Sequence, residues 1–153
     1  MLVLPYTASS VGIARRRLIA DLTGAGVREG AACDAGLVIS ELISNALRHA
    51  SPLPGNSVRI SWDLRADRVT VAVSDGGAES VPRVHKPKRS ALGGRGLGIV
   101  DRLSIRWGVE ECRDGFGGDE KTADAGSEIT VWAELPVKYT TVPALVIASS
   151  RDA

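Results

Sequence analysis

The chain has 153 residues, 44% of them apolar and 24% charged, with a net charge of +1. That length suits one domain, able to bury roughly 70% of the surface its unfolded chain exposes. Near-neutral charge argues against nucleic acid as a direct partner, since phosphate-backbone binding wants a concentrated positive face, and no stretch approaches the ~18 apolar residues of a membrane span.

Met1-Leu2-Val3-Leu4 is interrupted by Pro5 and soon turns polar, unlike a secretory signal. Cys33 and Cys112 show no CxxC spacing and no Cys/His cluster. Two reduced thiols in a soluble, cytoplasmic protein are the expected reading, with a single disulfide as the alternative.

Leu2 to Tyr6 predicts a short edge strand. Ser9 and Ser10 read as N-caps for a helix running to about Gly24, with Val11, Ala14, Leu18 and Leu22 inward and Arg15, Arg16 and Asp21 largely off that face. A second helix is expected from about Glu29 to Ala50, its buried stripe Val38, Leu42, Ile43, Ala46 and Leu47, ended by Ser51-Pro52. Val58, Ile60, Trp62 and Leu64 alternate with polar residues, as do Val69, Val71 and Val73. The link Arg65-Ala66-Asp67-Arg68 suits an antiparallel hairpin.

Pro82 to Gly94 reads as irregular, and a helix should start near Gly96 with Leu97, Val100 and Leu103 inward. Ile105, Trp107 and Val109 alternate as a strand, and Gly115 to Ala125 forms a loop. Ile129, Val131, Ala133 and Leu135 define one face of the last strand, with Thr130, Trp132 and Glu134 on the other. After Pro136 the pattern fades, giving a domain over residues 1–137 and a C-terminal tail over 138–153. Helices that precede and interrupt antiparallel strands predict an α+β two-layer sandwich: a mixed, mostly antiparallel sheet covered by helices on one face.

Three motifs carry chemistry. Glu41 and Asn45 stand one helical turn apart and share a face, with Arg48 and His49 continuing that edge. An Asn oxygen is a hard ligand suited to Mg²⁺, and a carboxylate one turn away can take a proton from a hydroxyl or a water. A plain wet face of an amphipathic helix shows the same spacing.

Asp75, at the end of an apolar strand, can accept a hydrogen bond from the exocyclic amine of adenine. Gly76 and Gly77 let the backbone turn and approach a flat base. An ordinary Asp-Gly turn is the alternative.

Gly93-Gly94-Arg95-Gly96-Leu97-Gly98 opens a helix, where converging N–H groups and the helix dipole favour an anion. No Gly-Lys-Ser/Thr follows, and the third glycine of a dinucleotide GxGxxG would fall at Ile99, so Walker A and Rossmann loops are excluded. Arg83, His85, Lys86, Lys88, Arg89 and Arg95 lie in a stretch without acids from Ser80 to Val100. A cationic segment of this kind suits a lid over a triphosphate.

In order and spacing these motifs resemble the N, G1 and G2 boxes of the GHKL ATPase/kinase superfamily. The stretch Val38 to Ala50 is similar to the N box of the small bacterial anti-sigma-factor serine/threonine-protein kinases. Gly93 to Val100, Arg106-Trp107-Gly108 and Val131 to Leu135 resemble the same family. The resemblance implies a Bergerat-type ATP-binding fold, ATP and Mg²⁺ as cofactors, Glu41 as base and Asn45 as metal ligand. It implies nucleotide contacts from Asn45, Arg48, Asp75, Gly77, Gly94, Arg95, Gly96, Leu97, Gly98 and Ser127. Ser127 stands where the family often has Thr, Glu79 replaces a frequent second glycine of the G1 box, and the loop over 115–125 is longer than the family pattern.

The activity implied is phosphorylation, on Ser or Thr, of an anti-anti-sigma partner with a STAS domain. Binding of a sigma factor and a homodimeric state are implied as well. A nucleotide-dependent module that sequesters a partner without phosphorylating it is the alternative, and a plain ATPase a third. A binding module has no need of a base beside Asn45, so Glu41 favours the kinase.

Overall fold

The chain folds around alternation and helical period much as its sequence predicts. The computed structural model describes residues 1–77, 95–112 and 128–140. In chain order the elements are β1 (Leu2–Pro5), α1 (Ser9–Gly24), α2 (Glu29–His49), β2 (Ser57–Leu64), β3 (Arg68–Asp75), α3 (Arg95–Leu103), β4 (Arg106–Cys112) and β5 (Glu128–Pro136). The strands form one open sheet in the order β1-β2-β3-β5-β4, and every neighbouring pair is antiparallel. The protein is therefore a mixed α/β two-layer structure.

Register explains which face the helices cover. Ile60 pairs with Val73, Trp62 with Val71 and Leu64 with Val69 across the β2–β3 hairpin. Val71 then pairs with Ala133 and Val69 with Leu135. Period two puts all of these on one side of the pleat, where Val58, Ile60, Val69, Val71, Val73, Ala133 and Leu135 are buried. Leu18 and Leu22 of α1, Val38, Ile39, Leu42 and Ile43 of α2, and Val100 of α3 fill the space above them. Burying each Leu, Ile or Val contributes about 1.5–3 kcal/mol.

Gly36 lets α1 and α2 approach, since a Cβ there would stand 2.8 Å from Ile19 Cδ1. The half-buried Leu97 and Leu103 join the core, so α3 is anchored on α2 through the face predicted for it.

The start of α1 differs from the expectation. Ala8 occupies the N-cap in helical conformation, no side chain caps the helix, and Ser9 and Ser10 lie within its first turn. The Ser10 hydroxyl donates back to Pro5 O at 2.6 Å. The link from β1 is so short that the helix begins as soon as the chain has turned.

On the sheet face away from the helices, Glu134 is 4% exposed. It accepts from Arg68 Nη1 at 3.2 Å and from Arg106 Nε at 2.5 Å. The Arg106 guanidinium lies over the Trp132 ring, 5.7 Å from its centroid. These donors hold the Glu134 carboxyl below the usual carboxylate range, Arg106 most of all. Past Pro136 the chain stays in contact with the fold: Val137 is buried, Arg28 N–H donates to Lys138 O (2.7 Å) and Thr140 N–H to Gly26 O (2.9 Å).

Candidate functional site

Helix α2 is the common support of the site. Its buried stripe Val38, Ile39, Leu42, Ile43 and Ala46 faces the sheet and α1, which leaves the edge bearing Glu41, Asn45 and Arg48 turned outward. Glu41 and Asn45 are half-buried, about 6 Å apart along the axis. Neither side chain makes a hydrogen bond or ion pair among the described residues, so both are available to a ligand. Arg48 and His49 are exposed in the last turn, where positive charge suits the helix dipole.

Asp75, the last residue of β3, is only 4% exposed. Burial pushes its carboxyl above the usual carboxylate range; the N–H of Gly77, donating to Oδ1 at 2.7 Å, opposes that rise, and the Glu128 carboxylate adds to it. The turn that follows is tied to the end of α2. Gly76 N–H donates to Ser51 O at 2.8 Å, and Ser51 N–H donates to Gly77 O at 2.7 Å.

Both glycines are needed for that contact. A Cβ on Gly76 would lie 2.6 Å from Pro52 O, and Gly77 adopts φ +72°. The sequence suggests that Gly76 makes room for a base; the structure shows that it makes room for the Ser51-Pro52 backbone.

Helix α3 begins at Arg95, so Arg95, Gly96, Leu97 and Gly98 form its first turn. Leu97 turns into the core, and Gly98 is exposed. A Cβ on Gly98 would meet nothing within 4 Å. Packing within the described fold therefore leaves its glycine unexplained. Because α3 packs on α2 and the Asp75 turn is bonded to Ser51, all three motifs sit on elements joined to one helix. Gly94, Ser127, the cationic segment from Arg83 to Arg89 and the loop over 115–125 lie outside the described residues.

The family model of the histidine kinase-like ATPase domain matches residues 4–115, which contain all three motifs. The chain belongs to this family. No curated protein is matched by the sequence. As a histidine kinase-like ATPase of the GHKL type, the protein is an ATP-binding domain, of a class whose enzymes hydrolyse ATP or transfer its phosphate.

Mg²⁺, the usual companion of ATP, fits the donor set. Among the described residues no three His, Cys, Asp or Glu side chains converge. Mg²⁺ at a nucleotide site asks for less than that: one or two protein oxygens, with waters and phosphates completing its shell. The unpartnered amide oxygen of Asn45 meets that demand.

Two features escape a reading of the sequence. One is the Glu134–Arg68–Arg106 network. The other is Tyr6, whose hydroxyl lies 2.5 Å from the carbonyls of both Ala46 and Ala50. A partner 40 residues away leaves no local signal. Among the described residues, no helix is long and apolar enough to cross a membrane.

Proposed function

We propose that the protein is an ATP-dependent serine/threonine-protein kinase that phosphorylates a STAS-type anti-anti-sigma partner and also binds a sigma factor, regulating transcription in the cytoplasm as a homodimer. The observation that carries the kinase reading is Glu41, half-buried and unpartnered among the described residues, one turn before Asn45 on the helix that supports the whole site. The similarity of Val38 to Ala50 to the N box of the anti-sigma-factor kinases supports the choice of partner.

In this reading Asn45 is the protein's ligand to Mg²⁺, which neutralises phosphate charge when bound. The carboxylate of Asp75 accepts from the adenine amine, the backbone of Gly77 meets the base, and Gly94 together with Arg95 to Gly98 of the first turn of α3 meets the phosphates. Arg48 and Ser127 add further contacts to the nucleotide. Glu41 takes the proton from a serine or threonine hydroxyl of the partner. The freed oxygen bonds to the γ-phosphorus as the bond to the β–γ bridging oxygen breaks, and ADP leaves.

The test is transfer of radiolabel from the γ-phosphate of ATP to a STAS-domain partner. Glu41→Ala should lower the rate by about 10²–10⁴-fold, the range for a positioned base, while nucleotide affinity and sigma-factor binding persist. Full activity in Glu41→Ala would remove the proposed base. Absence of transfer by the unmodified protein with its true partner would favour the sequestering module.

A further inference from the structure

Tyr6 connects the first strand to the far end of the site. Its backbone N–H donates to Asn56 O at 2.9 Å, which ties the residue to the loop after α2. Its side chain reaches back to the helix itself. The hydroxyl has a single proton and two carbonyl acceptors at 2.5 Å, Ala46 O and Ala50 O, so the proton is shared across the last turn of α2. Ala46 O already accepts from Ala50 N–H at 2.9 Å. Helix-terminal carbonyls lack intrahelical partners, and for Ala50 O the tyrosine supplies one from 44 residues away.

The next residue after that carbonyl, Ser51, makes both backbone bonds to the turn of Asp75. A continuous chain thus runs from the Tyr6 hydroxyl through Ala50 and Ser51 to Gly76 and Gly77. Asp75 and Tyr6 also feel each other directly. Burial first, and then the negative charge of Asp75, raise the Tyr6 hydroxyl above its usual range.

We infer that Tyr6 is a positioning residue for base selection: by fixing the last turn of α2, it sets the place of the Asp75 turn against which the exocyclic amine of a purine is read. This rests on the reading of Asp75 as acceptor for adenine. Tyr6 touches no substrate in this scheme. It acts through Ala50 and Ser51, and its effect falls on the base end of the nucleotide. A purine with a carbonyl at the position of that amine, as in GTP, gains nothing from a well-placed Asp75 and loses little when the turn shifts.

The experiment is calorimetric titration of the full chain with Mg·ATP and Mg·GTP, for the unmodified protein, Tyr6→Phe and the control Tyr139→Phe. Tyr139 also donates its hydroxyl to a distant carbonyl, Arg65 O, away from the site. Tyr6→Phe should weaken Mg·ATP about tenfold, as expected for one lost hydrogen bond in a partly buried joint, and weaken Mg·GTP less than twofold. Tyr139→Phe should change neither. Equal losses for both nucleotides, or a lower Tm with both affinities intact, would overturn the inference. Should Tyr6→Phe fail to fold, Gly76→Ala strains the same joint from its other side and must give the same selective loss; retained ATP preference there would equally overturn it. An unmodified protein without preference for ATP over GTP would refute the reading of Asp75, and the inference with it.

Discussion

Replacing Gly98 by alanine separates what the fold needs from what the ligand needs. Gly98 is the fourth of nine residues in α3, exposed, without positive φ, and a Cβ there meets nothing within 4 Å. Alanine is favoured over glycine inside a helix by about 0.8–1.0 kcal/mol. For a domain of this size, that gain raises Tm by about 2–4 °C.

A phosphate held by the first turn of α3 must come close to that same backbone. A methyl group there removes or lengthens a charged hydrogen bond of about 1.5–3 kcal/mol, weakening Mg·ATP about tenfold or more. Differential scanning calorimetry and isothermal titration on Gly98→Ala measure the two effects side by side. Stability should rise as affinity falls. A variant that is more stable and binds Mg·ATP as well as the unmodified protein would show that the nucleotide does not approach α3 at Gly98.

Further outcomes follow from the charged groups. Asp75→Asn should weaken Mg·ATP by about 1.5–3 kcal/mol, the value of a hydrogen bond to a charged group, as read by titration calorimetry. The same change should stabilise the nucleotide-free protein at neutral pH. The folded pKa of Asp75 is raised, so the folded state binds its proton more readily than the unfolded state, and stability falls as pH rises from the unfolded value through the folded one. Urea midpoints at pH 7 should therefore be higher for Asp75→Asn, and a lower midpoint would contradict the burial argument. Glu134 has the opposite sign: its folded pKa is lowered, so its contribution is present above the unfolded value and lost as pH falls through the folded one. Glu134→Gln should thus lower stability at neutral pH and lose less than the unmodified protein on acidification below about pH 4, followed by circular dichroism.

Elements defined by local period were readable in the sequence, and long-range bonds were not. Alternation at Val58, Ile60 and Trp62, and again at Val69, Val71 and Val73, specified both strands and their inner face, because a one-residue slip would expose every valine. The 3.6-residue stripe of α2 likewise left Glu41 and Asn45 on its outer edge. Capping at Ser9 and Ser10 failed because the short link from β1 made Ala8 the N-cap, a constraint of tertiary closure. Glu134 looked like an ordinary solvent-facing position by alternation, yet two arginines from β3 and β4 cover it. In the site, Asp75-Gly76-Gly77 was recognisable as a turn. That Gly76 answers to the Pro52 carbonyl depends on a loop 24 residues upstream, and nothing near Gly76 signals it.

One measurement bears most directly on the account as a whole: isothermal titration of the unmodified protein with Mg·ATP and Mg·GTP, repeated on Asn45→Ala. One site per chain should bind Mg·ATP in preference to Mg·GTP, and Asn45→Ala should impair Mg·ATP binding. Equal affinity for the two nucleotides, or full Mg·ATP affinity without the Asn45 amide, would contradict the site built on α2, the Asp75 turn and the start of α3.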